Sequence, residues 1–301
     1  MRWAAAAWSA SLLALTAAPV SAQPLGMPAQ DARLRAAVEL GASGGGARDA
    51  NLVAFSPEVG LRWRVSDAVV ADATFGLTLG GTHVRGRVDT GRGTEHYDAD
   101  VFRVEAGNPV IGGAYAGWHG PVRLLLGLAL GVPTAARTEA GDSADFGAAR
   151  AASSVTQIAS ASLRGWWAPW RWAPERASVA LPLRMAIDLA DTTIGVEAGL
   201  GLMFPVVGDR GPDVDVVMQL AAEVSVRVAD GLALGLRAHV VGDAIGVAVP
   251  PVTVAVEPSM RVDLAPVQLS FRANVNVAGD DGVAGPRGPA FGILTAGSVD
   301  L

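Results

Sequence analysis

Residues 215–240 read DVVMQLAAEVSVRVADGLALGLRAHV, and they beat at period two. Val216, Met218, Leu220, Ala222, Val224 and Val226 alternate mostly with polar or small residues. Asp230-Gly231 interrupts, and Leu232, Leu234, Leu236, Ala238 and Val240 resume the pattern. Successive side chains of a strand point to opposite faces, so each segment has one continuous apolar face. The beat returns at Val252, Val254, Val256, Met260 and Val262, then at Val267, Leu269, Phe271, Ala273, Val275 and Val277. The opposite face carries Glu223, Arg227, Arg237, Glu257, Arg261 and Arg272. Strands with an apolar face toward lipid and a polar face toward a lumen build a membrane β-barrel.

Composition points the same way. The 301 residues are 50% hydrophobic and 17% charged, yet after the N-terminus no run approaches the roughly 18 apolar residues of a membrane helix. Lipid satisfies no unpaired backbone group, so the membrane solution left is a closed barrel. The N-terminus supplies an export address: a basic start at Met1-Arg2-Trp3, an apolar run from Ala4 to Ala18, and a small-x-small site at Val20-Ser21-Ala22. Pro19 would interrupt a buried helix there. The expected organisation is a signal peptide (1–22, cleaved near Ala22), a short lead (23–31) and a barrel (32–301) in the outer membrane of a Gram-negative bacterium.

Cysteine is absent, which removes disulfides, thiolate metal sites and a lipid-anchor cysteine. All 23 basic residues are Arg, whose planar fork suits carboxylate pairing in a confined space. The net charge of -6 offers no basic face to nucleic acid.

The pattern predicts about twelve strands: 32–41, 53–65, 68–84, 101–117, 121–132, 177–189, 193–206, 214–228, 232–242, 251–263, 267–278 and 289–301. Alternate connections are very short, and the others (42–52, 85–100, 133–176, 207–213, 243–250 and 279–288) are longer. The expected fold is therefore all-β: a closed antiparallel up-and-down transmembrane barrel with short periplasmic turns and long extracellular loops. Residues 143–165 are Ala-rich without clean alternation and favour helix. They fall in a long third loop (133–176) that either enters the lumen, lies over the mouth or stays disordered.

With the apolar set toward lipid, the lumen set follows by register. It comprises Arg35, Glu39, Glu58, Arg62, Arg64, Asp72, Arg103, Glu105, Arg123, Arg184, Asp188, Glu197, Glu223, Arg227, Arg237, His239, Glu257, Arg261, Asp263 and Arg272. A one-residue slip would put all of them into lipid. Their near-equal signs predict cross-strand pairing, because a strongly selective pore is expected to be lined with one sign. Trp63, Trp118, Trp166, Trp167, Trp170 and Trp172 are expected at the membrane interfaces, where Trp concentrates. The alternative for the Trp166–Trp172 run is a surface that binds an aliphatic or sugar ligand.

Catalytic and metal signals are sparse. His239 beside Glu257 is either a base with its orienter or a satisfied lumen histidine. The lipid-facing set carries no His and no matched Ser. Glu95, His96, Asp98 and Asp100 offer cation ligands, but a solvated acidic loop accounts for them and no metal or cofactor is expected.

Over nearly its full mature length the chain resembles the bacterial outer-membrane β-barrel superfamily. Gly107-Asn108-Pro109 opening an apolar strand, and the strand at 124–134 (LLLGLALGVPT), look like uncharacterised or transporter-like members. The superfamily usually ends in an aromatic residue, whereas this chain ends Val299-Asp300-Leu301. The resemblance implies a passive channel or uptake protein for small or hydrophobic solutes rather than an enzyme. A structural or surface-interaction barrel with a closed, ion-paired lumen stays open as the alternative. The implied partners are outer-membrane lipid, lipopolysaccharide and the barrel-assembly machinery.

Overall fold

The computed structural model describes residues 34–47, 50–89, 94–135, 148, 149, 152, 156, 159, 161–206, 214–243, 252–279 and 291–301. The expected signal peptide and lead lie outside these residues. Among the described residues thirteen strands follow in order: β1 (Leu34–Ala47), β2 (Ala50–Ser66), β3 (Val69–Asp89), β4 (Thr94–Ala106), β5 (Val110–His119), β6 (Val122–Gly131), β7 (Arg176–Leu189), β8 (Thr192–Pro205), β9 (Asp215–Ala229), β10 (Leu232–Asp243), β11 (Val252–Leu264), β12 (Val267–Ala278) and β13 (Phe291–Asp300).

All ladders are antiparallel between neighbours in the wall, and β1 pairs with β13, so the sheet closes on itself. Leu34 and Leu301 exchange backbone hydrogen bonds at the seam. β4 pairs with the far half of β3 and β5 with the near half. The two therefore share one wall position, and the described strands form a closed, twelve-position, up-and-down barrel.

Alternation does what period two demands. On β9, Met218 and Leu220 are 55% and 52% exposed while Val217 and Gln219, which alternate with them, are 0% and 6% exposed. The outward band of Val, Leu, Ile and Phe runs around the wall and is apolar enough to face lipid. At the β9–β10 turn Gly231 has φ 71°, a left-handed conformation that glycine adopts without steric cost. No helix among the described residues is long and apolar enough to cross a membrane.

Two expectations are corrected. The stretches 42–52 and 85–100 are largely strand, because β1–β2 and β3–β4 continue as hairpins past the predicted strand ends. The segment 101–117 is not one strand. Gly107-Asn108-Pro109 breaks it where Pro109 lacks an N–H to give the ladder. Gly107 instead donates to Gly76 O, and Pro109 O accepts from Val132 N.

Candidate functional site

The register of β1 and β2 sets Glu39 directly opposite Glu58. Like charges across a ladder repel, and both carboxylates are buried. A cation reaches them from the connection between β6 and β7. Arg164 lies 2.8 Å from Glu39 and 3.9 Å from Glu58, and its Nη1 donates to Ser56 Oγ at 3.2 Å. Arg171 of the same connection pairs with Glu58 at 2.5 Å.

From there ion pairs pass along the wall. Arg272 bridges Glu39 (2.5 Å) and Glu257 (3.7 Å), Arg237 bridges Glu257 (3.2 Å) and Glu197 (3.0 Å), and Arg184 bridges Glu197 and Glu223, both at 3.2 Å. Arg171, Glu58, Arg164, Glu39, Arg272, Glu257, Arg237, Glu197, Arg184 and Glu223 thus form one chain of alternating sign. Direct register supplies two of the nine links, Arg237 to Glu257 and Arg184 to Glu197. The others run diagonally, reach across an intervening strand or come from Arg164 and Arg171. Each buried ion is paired, the condition under which burial of charge is tolerated.

The described part of the connection that delivers Arg164 and Arg171 packs inside the lumen. Ala148, Ala149, Ala152, Thr156, Ala159, Ala161 and Ser162 are helical, and Ala148, Ala152, Thr156 and Ala159 are all buried. Those four recur at intervals of four and three, one face of a helix, as Ala-rich sequence permits. A turn with a short 3-10 helix inside it (Pro169–Arg171) then presents Leu163 to Trp172 to the wall. We call this segment the plug.

The wall is cut to receive it. A Cβ on Gly41 or Gly292 would collide with Leu163, on Gly76 or Gly107 with Trp172, and on Gly201 with Trp170. Polar side chains complete the seat. Gln219 Oε1 accepts from Ala168 N at 3.0 Å, and Asn274 and Asn276 donate to Ser162 O at 3.2 and 3.3 Å. His239 Nδ1 lies 3.1 Å from Arg237 Nη1 and Nε2 lies 3.0 Å from Gly165 O. Guanidinium only donates, so Nδ1 accepts and Nε2 carries the proton toward Gly165. Trp167 packs edge-on to His239 at 5.4 Å and lies under the Arg237 guanidinium at 4.0 Å.

The base of the plug is fastened by the break in the wall. Asn108 Nδ2 donates to the carbonyls of Trp170, Ala173 and Arg176, and Oδ1 accepts from the N–H groups of Thr134 and Ala135. One buried amide thus holds both ends of the inserted segment against β4 and β5.

Toward the turn end of the barrel the lumen opens into a cavity of about 460 Å³ lined by Arg123, Arg184, Asp188, Glu223, Arg227 and Arg261, among others. Arg123 pairs with Asp188 at 2.7 Å and Arg261 with Asp263 at 3.4 Å. The last link of the ion-pair chain, Arg184 to Glu223, forms part of its lining.

Among the residues expected in the lumen, Arg35, Glu39, Glu58, Arg62, Glu197, Arg237, His239, Glu257 and Arg272 are buried. Arg35 reaches across the seam to Asp300 through two bonds of 2.6 and 2.7 Å. Arg62 stands opposite Asp72. Arg64 lies over the Trp118 ring at 5.9 Å, and Arg103 and Glu105 are half-buried on β4.

Five of the six aromatic placements are corrected. Trp166, Trp167, Trp170 and Trp172 are buried in the lumen core, and Trp118 packs inward against Val70, Ala114, Ala116 and Leu125. The plug gives its indoles apolar wall and Arg partners together, the same mixed environment that a membrane interface offers. Trp63 is 59% exposed on the outer face.

The outer face does carry a histidine, contrary to expectation. His83 sits 2.9 Å from both Asp98 and Asp100 on the β3–β4 hairpin. No group of three metal-ligating residues is assembled among the described residues. Both ring nitrogens of His239 are engaged by Arg237 and Gly165 in the docked state. Sequence reading missed Asn108, Arg164 and Arg171. The signal for the two arginines was the unbridged Glu39–Glu58 pair.

No protein-family model and no curated protein matches the chain. Solved structures do. An outer membrane channel from Pseudomonas putida F1 superposes with a TM-score of 0.59 at 13% identity, covering 93% of this chain and 99% of that one. The NanC porin superposes with a TM-score of 0.50 at 7% identity, covering 88% of this chain and 99% of that one. At such identity the likeness establishes the fold alone, a closed antiparallel β-barrel, as the sequence resemblance had implied.

Proposed function

We propose that the chain is a gated outer-membrane channel for small solutes, held shut in this conformation by the plug. The observation that carries the reading is the fit of a separate, inserted segment into notches of an otherwise continuous polar lumen. A barrel that served only as a scaffold needs no removable stopper, since side chains of the wall can fill a narrow interior. Here the wall does the reverse, offering glycine where the plug is bulky. The barrel of an outer membrane channel and that of a porin superpose on this one, which supports the same reading.

In this reading the outward apolar band meets outer-membrane lipid and lipopolysaccharide after export and insertion by the barrel-assembly machinery. The short turns face the periplasm, so the 460 Å³ cavity is a periplasmic vestibule beneath the plug. The ion pairs of the plug favour a second reading, a permanently closed structural or surface-interaction barrel, because each pair of Arg164 and Arg171 with Glu39 or Glu58 adds to the cost of opening.

Planar-bilayer recording separates the two. The channel reading expects sparse openings in the wild type and frequent ones once a plug contact is removed. Silence from both wild type and plug-weakened variants that still show heat-modifiable migration overturns it in favour of the closed barrel.

A further inference from the structure

We infer that Glu39, Glu58 and Ser56 form a cation-binding site, occupied in the shut state by the tethered guanidinium of Arg164, and that the solute it takes when the plug leaves carries a guanidinium or primary ammonium group. The open-state half of this rests on the channel reading above.

The site is a filled one. Arg164 is contributed from 125 residues away by Nε to Glu39 Oε1 at 3.1 Å, and from 108 residues away by Nη1 to Ser56 Oγ and Nη2 to Ser56 O. Trp172 stacks on its other side, with the ring centre 5.1 Å from the guanidinium carbon. Two carboxylates, a hydroxyl, a carbonyl and an aromatic face are the donor-complementary surface that a planar cation requires. The plug supplies only the Trp of this set, and the anionic and acceptor groups all belong to β1 and β2.

Charge states what happens on opening. With the plug docked, the ion-pair chain holds five guanidinium groups and five carboxylates. Arg164 and Arg171 belong to the plug, so its departure leaves Arg184, Arg237 and Arg272 on the wall against Glu39, Glu58, Glu197, Glu223 and Glu257. Glu58 loses both of the cations that it contacts, whereas Glu39 keeps Arg272. The Glu39–Glu58 repulsion that the register imposes then returns, and a cationic solute relieves it. Opening and cation capture are thereby coupled, because the solute stabilises only the undocked state.

The test uses the full chain. In detergent, Arg164→Ala vacates the guanidinium position and leaves the wall intact. Millimolar methylguanidinium chloride, compared with sodium chloride at equal concentration, should raise the melting temperature of Arg164→Ala by about 3 °C. The same addition should leave Arg164→Ala combined with Glu39→Gln unmoved. Absence of a differential shift in Arg164→Ala overturns the site. If that variant does not fold, Arg164→Gln is measured in the same way.

In bilayers under a KCl gradient, currents through Trp167→Ala should reverse on the cation-selective side. Methylguanidinium should block them, and adding Glu58→Gln should weaken the block about tenfold or more. Anion-selective currents, or block indifferent to Glu58→Gln, overturn the ligand class. Silence in bilayers with a positive melting shift supports the cation site and removes the channel reading instead.

Discussion

The guanidinium carbon of Arg237 lies 4.0 Å from the centre of the Trp167 ring, a wall cation capped by an indole of the plug. Glu197 and Glu257 take the in-plane N–H groups of Arg237, so the ring covers a face that carboxylates leave bare. A desolvated contact of this kind contributes about 2 kcal/mol. Trp167→Ala also deletes the packing against His239 and should cost plug docking about 3 to 5 kcal/mol in all. Frequent channel openings in planar bilayers, with heat-modifiable migration retained, are the expected result.

Gly292→Val tests the notch rather than the ring. Its side chain would occupy the space of Leu163, and overpacking of a filled site costs about 1 to 3 kcal/mol. The expected outcome is faster proteolytic cleavage between residues 136 and 175 than in the wild type. Leu163→Ala combined with Gly292→Val should bring cleavage back toward the wild-type rate, since the smaller side chain frees the notch.

Asn108→Ala removes the amide that ties both ends of the plug to the wall. Three carbonyls and two N–H groups lose their side-chain partner at once, and each buried group left unsatisfied costs about 1 to 3 kcal/mol. Hydrogen exchange should accelerate at Thr134 and Ala135 well before it does on β9 to β12. Uniform acceleration around the whole barrel would show instead that Asn108 supports the wall rather than the plug.

The lipid face gives a depth-dependent prediction. Leu220 is exposed near the middle of β9 and Val228 close to its turn. Leu220→Arg should lower folding stability in lipid vesicles by about 2 to 4 kcal/mol, and Val228→Arg by about 0 to 1. Urea titration of both variants checks the membrane-facing assignment, and equal costs would contradict it.

The wall was legible because period two is a property of each strand alone. Along β9 to β12 most strand residues declare their face through their own hydropathy, inward Val217 and Val241 being exceptions, and strand ends there fell within a few residues of the turns. The plug was not legible because its partners are remote. The Trp-Trp-Ala-Pro-Trp-Arg-Trp run has the mixed apolar and polar character of an interfacial belt, and composition does not distinguish lipid headgroups from a lumen lined with Gly and Arg. Counting lumen charges as cross-strand pairs worked for Arg184–Glu197 and Arg237–Glu257, which face each other in register. It failed at Glu39 and Glu58, which face each other with one sign. The break at 107–109 was visible as Gly-Asn-Pro, but the use of Asn108 as a clamp depends on carbonyls more than 60 residues further on.

Leu163 packs against Gly41 of β1 and Gly292 of β13, the first and last strands of the wall. The pocket that holds it comes into being only when the two ends of the chain meet, a junction also clasped by Arg35 and Asp300. During biogenesis the stopper therefore has no finished seat until the cylinder is sealed. Closure of the cylinder and completion of the Leu163 seat are thus one and the same joining of β1 to β13.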